Sequence, residues 1–102
     1  MNDLQPAITD MMALLDAGDG HVLVVDDDER NRRLLSAVLM AKGNRVSEAA
    51  DGEEALRCAR ELAPDVILLD VMMPKVDGYE ACRALRADAA TTATPILMIT
   101  AL

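Results

Sequence analysis

A chain of 102 residues has room for one hydrophobic core and too few residues for two. Hydrophobic residues make up 52% of it but aromatics only 1%, with no Phe or Trp, so the core must be built from Leu, Val, Ile, Ala and Met. A net charge of −8 argues against an electrostatic grip on nucleic-acid phosphates or anionic lipid, and favours cations or basic partners.

Leu4, Ile8, Met11, Met12 and Leu15 recur at helical spacing, with Pro6 in the first turn, before Gly18-Asp19-Gly20 breaks the pattern. Residues 1–20 therefore read as an amphipathic helix and linker. The N-terminus carries Asp3 rather than a basic stretch, and no apolar run reaches membrane-spanning length, so the expectation is an untargeted, soluble, cytoplasmic protein with no membrane partner.

Val22 to Val25 is a continuous apolar run, as in a strand buried on both faces, and it ends in Asp26, Asp27 and Asp28. Asp28 can cap a helix carrying Leu34, Leu35, Val38 and Leu39 on one face and stopping at Gly43. The basic run Arg30 to Arg33 reads as a solvated face at the start of that helix. A short second strand covers Arg45 to Ala49. Asp51 and Glu54 have capping-box spacing for a helix holding Leu56, Ala59 and Leu62, and Pro64 follows its end.

Val66 to Leu69 makes a third buried strand, ending in Asp70. A loop with Pro74 and Gly78 leads to a helix bearing Tyr79, Cys82 and Leu85, and the linker Ala89 to Thr94 precedes strand four, Ile96 to Ile99. Cys58 and Cys82 lack metal-ligand spacing and read as small buried hydrophobes, and His21 as a surface residue.

Strands alternating with helices of this length imply parallel βαβ units with right-handed crossovers, hence a doubly wound α/β fold. In such sheets the ligand crevice lies beyond the carboxyl ends of the strands, where strand order reverses. If strands two and three flank strand one, that point gathers Asp26, Asp27 and Asp70. Alone, the triplet would read as a polar loop with one helix cap; a second buried strand ending in Asp at the switch point turns the reading toward a metal and phosphate site. Converging carboxylates repel unless a cation neutralises them, and an all-oxygen set favours Mg²⁺ or Mn²⁺.

The segments VLVVDDD (22–28), DVILLDVMMPKVDGYEACRAL (65–85) and TPILMITAL (94–102) together resemble the receiver domains of response regulators, from about Val22 to Leu102. The resemblance implies a three-layer, flavodoxin-like fold of strand order 2-1-3-4 over residues 21–102. It makes Asp70 the phosphoacceptor, Asp27 a direct metal ligand, Asp26 a ligand acting mainly through water, and Met72 a ligand through its backbone carbonyl. Thr100 becomes the switch hydroxyl that contacts the phosphoryl group, with Ala101 its small neighbour, and Pro74, Asp77 and Gly78 match the family's loop after the acceptor. Expected partners are a sensor histidine kinase and an output domain or downstream protein, with Mg²⁺ the cofactor and no nucleic acid bound by this domain.

Receivers continue through a fourth helix, a fifth strand and a fifth helix, whereas this sequence stops at Leu102 without the family's strand-five Lys. A C-terminally incomplete domain is therefore expected, with the edge Ile96 to Thr100 open to a homodimer or swapped dimer. The stretch Leu69 to Leu85, with ITAL at the end, looks most like receivers joined to diguanylate cyclases or sensor kinases. The runner-up function is a degenerate receiver that docks partners without phosphorylation. A haloacid-dehalogenase-type phosphatase is disfavoured, because Met72 stands where that chemistry needs a second Asp. The chain thus reads as a phosphoacceptor module that assists its own phosphorylation and dephosphorylation, not as an enzyme.

Overall fold

A computed structural model describes residues 18, 20–70 and 78–99. Within them the elements are β1 (His21–Val25), α1 (Glu29–Ala41), β2 (Arg45–Ala49), α2 (Gly52–Leu62), β3 (Val66–Asp70), α3 (Gly78–Ala87) and β4 (Ile96–Ile99). The strands form one parallel sheet in the order β2-β1-β3-β4, as expected from the sequence. Val25 pairs with Ala49 on one side and Leu69 on the other, so β1 and β2 end level with each other and β3 runs one residue further, to Asp70.

The alternation of side chains divides the apolar runs between two layers. Leu23, Val25, Ile67, Leu69 and Ile96 pack with Ala55 and Ala59 of α2 and Ala81 and Leu85 of α3. Val22, Val24, Val66 and Leu68 pack on the opposite face with Leu39 of α1. Helices on both faces leave β1 and β3 almost without solvent contact, which is why their sequences run apolar without interruption. Cys58 and Cys82 are half-buried and pack against the first of these clusters.

The apolar face read for α1 needs correction. Leu39 is buried and Leu35 half-buried, but Leu34 and Val38 are 65% and 50% exposed. One residue is about 100° of helix rotation, so 35 and 39 face the sheet while 34 and 38 turn away. On α2, Ala55 and Ala59 face the core and Leu62 is exposed. His21 also differs from the surface residue expected: it opens β1, half-buried, with Nε2 2.7 Å from Ser47 Oγ.

Gly43, two residues past α1, and Ala63, directly after α2, adopt left-handed backbone at φ 98° and φ 46°. At Gly43 no side chain fits, because a Cβ there would lie 2.6 Å from the carbonyl oxygen of Gly18. The helix expected over residues 4–15, the loop residues Met72, Pro74 and Asp77, and Thr100 and Ala101 lie outside the described residues. Among the described residues no helix is long and apolar enough to cross a membrane.

Candidate metal centre

The end of β1 is built to turn sharply into α1. Asp26 extends the sheet by one bond, its N–H donating to Ala49 O at 3.1 Å. Its Oδ1 then accepts the N–H of Asp28 at 2.9 Å, an Asx-type turn that reverses the chain. Asp28 in turn caps α1, its Oδ1 accepting from the N–H groups of Arg30 (2.9 Å) and Asn31 (3.2 Å). The capping role expected for Asp28 is therefore present, and it separates this aspartate from its two neighbours.

Asp70 ends β3 beside this turn. The carboxylates of Asp26, Asp27 and Asp70 each offer an oxygen within 4.8 Å of the others, as the switch-point argument anticipated. Asp26 and Asp70 are both only 2% exposed, whereas Asp27 is exposed, so the cluster has a buried floor and an open side. Burial pushes the Asp26 carboxyl above its ordinary range; the Asp28 N–H partly offsets this, and the neighbouring charges of Asp70 and Asp27 raise it further. A divalent cation reverses that balance, favouring the ionised form of each carboxylate. The donor set is all oxygen and fits a hard ion entering from the open side.

One contributor was missed in the sequence. Arg32, read there as part of a solvated face, donates from Nη1 to the main-chain oxygen of Asp26 at 2.8 Å and from Nε to Glu48 Oε1 at 2.9 Å. The signal was available, because residues 32, 35, 36 and 39 fall on one helix row and the last three face the sheet. A charged residue on a buried row needs a partner. Arg33 does match the solvated reading, pairing across the exposed surface with Glu29 at 3.0 Å.

A family model of the response regulator receiver domain matches residues 22–102. The chain belongs to this receiver family. Response regulator PleD of Caulobacter vibrioides is 53% identical over 81 residues, which are 79% of this chain and 18% of PleD. The probable transcriptional regulator ycf27 of Guillardia theta is 47% identical over 81 residues, 79% of this chain and 31% of that protein. The chain thus spans less than a third of the length of either relative.

Solved receivers agree. The N-terminal domain of a response regulator receiver protein from Methanoculleus marisnigri JR1 superposes with a TM-score of 0.78 at 37% identity, covering 81% of this chain and 68% of that one. The receiver domain of the sensor histidine kinase PA1611 from Pseudomonas aeruginosa PAO1 gives 0.73 at 37% identity over 78% of this chain and 65% of its own. That structure holds a magnesium ion coordinated in its active-site cleft.

Proposed function

We propose that this receiver accepts a phosphoryl group on Asp70 from a sensor histidine kinase in the cytoplasm, and thereby regulates an output domain or a downstream protein. The observation that carries the reading is the meeting of Asp70 with Asp26 and Asp27 at the carboxyl edge of the sheet. Asp26, Asp27, Asp70 and the main-chain carbonyl of Met72 would hold Mg²⁺, with Mn²⁺ an acceptable substitute. The ion in the PA1611 cleft and the three-carboxylate cluster support this assignment. When bound, the ion supplies neutralisation of the crowded negative charge.

Asp70 is the nucleophile: a carboxylate oxygen forms the new O–P bond as the P–N bond of a phosphohistidine breaks, and the released imidazole nitrogen takes up a proton. The burial of Asp70 positions the carboxylate and limits water around it. Thr100, following β4, would donate its hydroxyl to a phosphoryl oxygen. The protein is a stoichiometric acceptor in this reading and does not turn over a separate substrate.

The test uses a small-molecule donor, so that no cognate kinase is needed. With acetyl phosphate and Mg²⁺, intact-mass measurement should show one added phosphoryl group, lost on chelation of the metal and absent in Asp70→Asn. Equal incorporation by Asp70→Asn would move the acceptor elsewhere. A folded, metal-binding wild type that takes up no phosphate would favour phosphorylation-independent docking.

A further inference from the structure

We propose that Arg32 is a positioning residue of the acidic centre, setting the direction of Asp27 through the peptide bond that joins Asp26 to Asp27. The inference rests on the reading of Asp26, Asp27 and Asp70 as metal ligands. Its physical basis is the planarity of the peptide unit: fixing the carbonyl oxygen of Asp26 also fixes the nitrogen and Cα of Asp27. Arg32 holds that oxygen from Nη1 at 2.8 Å.

Two other polar atoms of Asp26 are tied as well. Its N–H is bonded to Ala49 O at 3.1 Å and its Oδ1 to the Asp28 N–H at 2.9 Å. The guanidinium therefore supplies the remaining main-chain restraint on the turn. Asp27 is the exposed member of the cluster and has the most to gain from a fixed backbone.

Arg32 is itself immobilised. Its side chain is 15% exposed, and its Nε donates to Glu48 Oε1 at 2.9 Å on β2, the strand next to β1. The buried Ser36 hydroxyl donates to Arg32 O at 2.8 Å, one turn along α1. Glu48 offsets the arginine's charge, so Arg32 acts through geometry and not as a cation competing with the metal. A lysine cannot replace it, because a single ammonium on a flexible stem does not present two donors in a fixed plane.

The experiment compares wild type, Arg32→Lys and Arg32→Met, with Mn²⁺ as the probe and free Mn²⁺ read by electron paramagnetic resonance. Both variants should bind Mn²⁺ about tenfold more weakly, the usual effect of removing an outer-shell partner. Phosphorylation by acetyl phosphate should need correspondingly more Mg²⁺ yet reach the wild-type rate at saturation, a split that general loss of stability does not produce. Unchanged affinity in both variants would overturn the proposal. So would wild-type affinity in Arg32→Lys with tighter binding in Arg32→Met, the pattern of a pure charge effect. If neither variant folds, Glu48→Ala, which frees only the outer arm of the guanidinium, must still weaken Mn²⁺ binding, and unchanged affinity there overturns it. Wild type failing to bind Mn²⁺ would overturn the metal reading itself, a result distinct from variants that bind as well as wild type.

Discussion

Gly43 and Ala63 both take left-handed backbone where a helix ends, but a Cβ in this region meets the following carbonyl, and only Ala63 has one. The two positions should respond oppositely to exchange. Gly43→Ala adds that strain and also drives a Cβ to 2.6 Å from Gly18 O, so it should cost more than about 1 kcal/mol. Ala63→Gly removes the strain at some cost in unfolded-state entropy and should gain up to about 1 kcal/mol. Urea midpoints at constant m-value would measure both. Asp88 gives a residue-scale pH effect: the hydrogen bond from Arg60, at 2.6 Å from Nε, and the bond from the Ala90 N–H at 2.8 Å hold its carboxyl below the ordinary value of 3.8. A depressed folded-state pKa contributes stability that is fully present above the unfolded value and lost as pH falls through the folded one. Asp88→Asn should therefore be less stable than wild type at neutral pH, with the gap closing as pH falls below 3.8. Parallel denaturation curves across that range would show it, and a pH-independent gap would mean that the carboxylate charge is irrelevant.

Among the elements, α2 shows how local chemistry sets a boundary. Asp51 Oδ1 accepts the Glu54 N–H at 2.8 Å, and Glu54 Oε1 reaches back to the Ala50 N–H at 3.1 Å, one residue before the position a capping box normally uses. Asp51→Ala should cost about 1 kcal/mol of stability, readable as a lower urea midpoint, while Asp51→Ser should retain most of it. Such signals are local, which is why the sequence made them legible, as it did the four strands: a short run such as Val22 to Val25 suits a strand covered on both faces, as in a parallel sheet flanked by helices. Once the strand order placed β1 beside β3, the meeting of Asp26 with Asp70 followed, because each aspartate stands directly after its strand's last apolar residue. The inner face of α1 was harder. Leu34, Leu35, Val38 and Leu39 span two adjacent rows, and composition alone does not say which row meets the sheet. Arg32 escaped for the same reason, since its value depends on lying in the row with Leu35, Ser36 and Leu39. Met72 and Thr100 owe their proposed roles to family resemblance alone, because no periodicity or spacing marks a backbone carbonyl or a switch hydroxyl.

For the whole molecule, the acidic cluster sets local repulsion against global stability, and the net charge of −8 adds a diffuse background. Two of the three carboxylates are buried, so folding gathers charge that the unfolded chain keeps apart and hydrated. A ligand that binds only the folded state stabilises it by RT ln(1 + [L]/Kd), so Mg²⁺ at ten times its dissociation constant should add about 1.4 kcal/mol. In a domain of this size that corresponds to a rise in Tm of about 5–10 °C. Asp70→Asn should shift this balance in two directions at once. It removes one repelling charge, so the metal-free variant should melt above metal-free wild type, and it removes a ligand, so added Mg²⁺ should raise its Tm less. Thermal denaturation of both proteins with chelator and with Mg²⁺ measures all four states. A third arm in NaCl at matched ionic strength separates site binding from screening, since monovalent salt weakens the diffuse repulsion but does not bridge carboxylates within 4.8 Å of one another. If NaCl raised the wild-type Tm as much as Mg²⁺ did, or if Asp70→Asn lowered the metal-free Tm, the carboxylates would not form the ion-demanding centre that their positions describe.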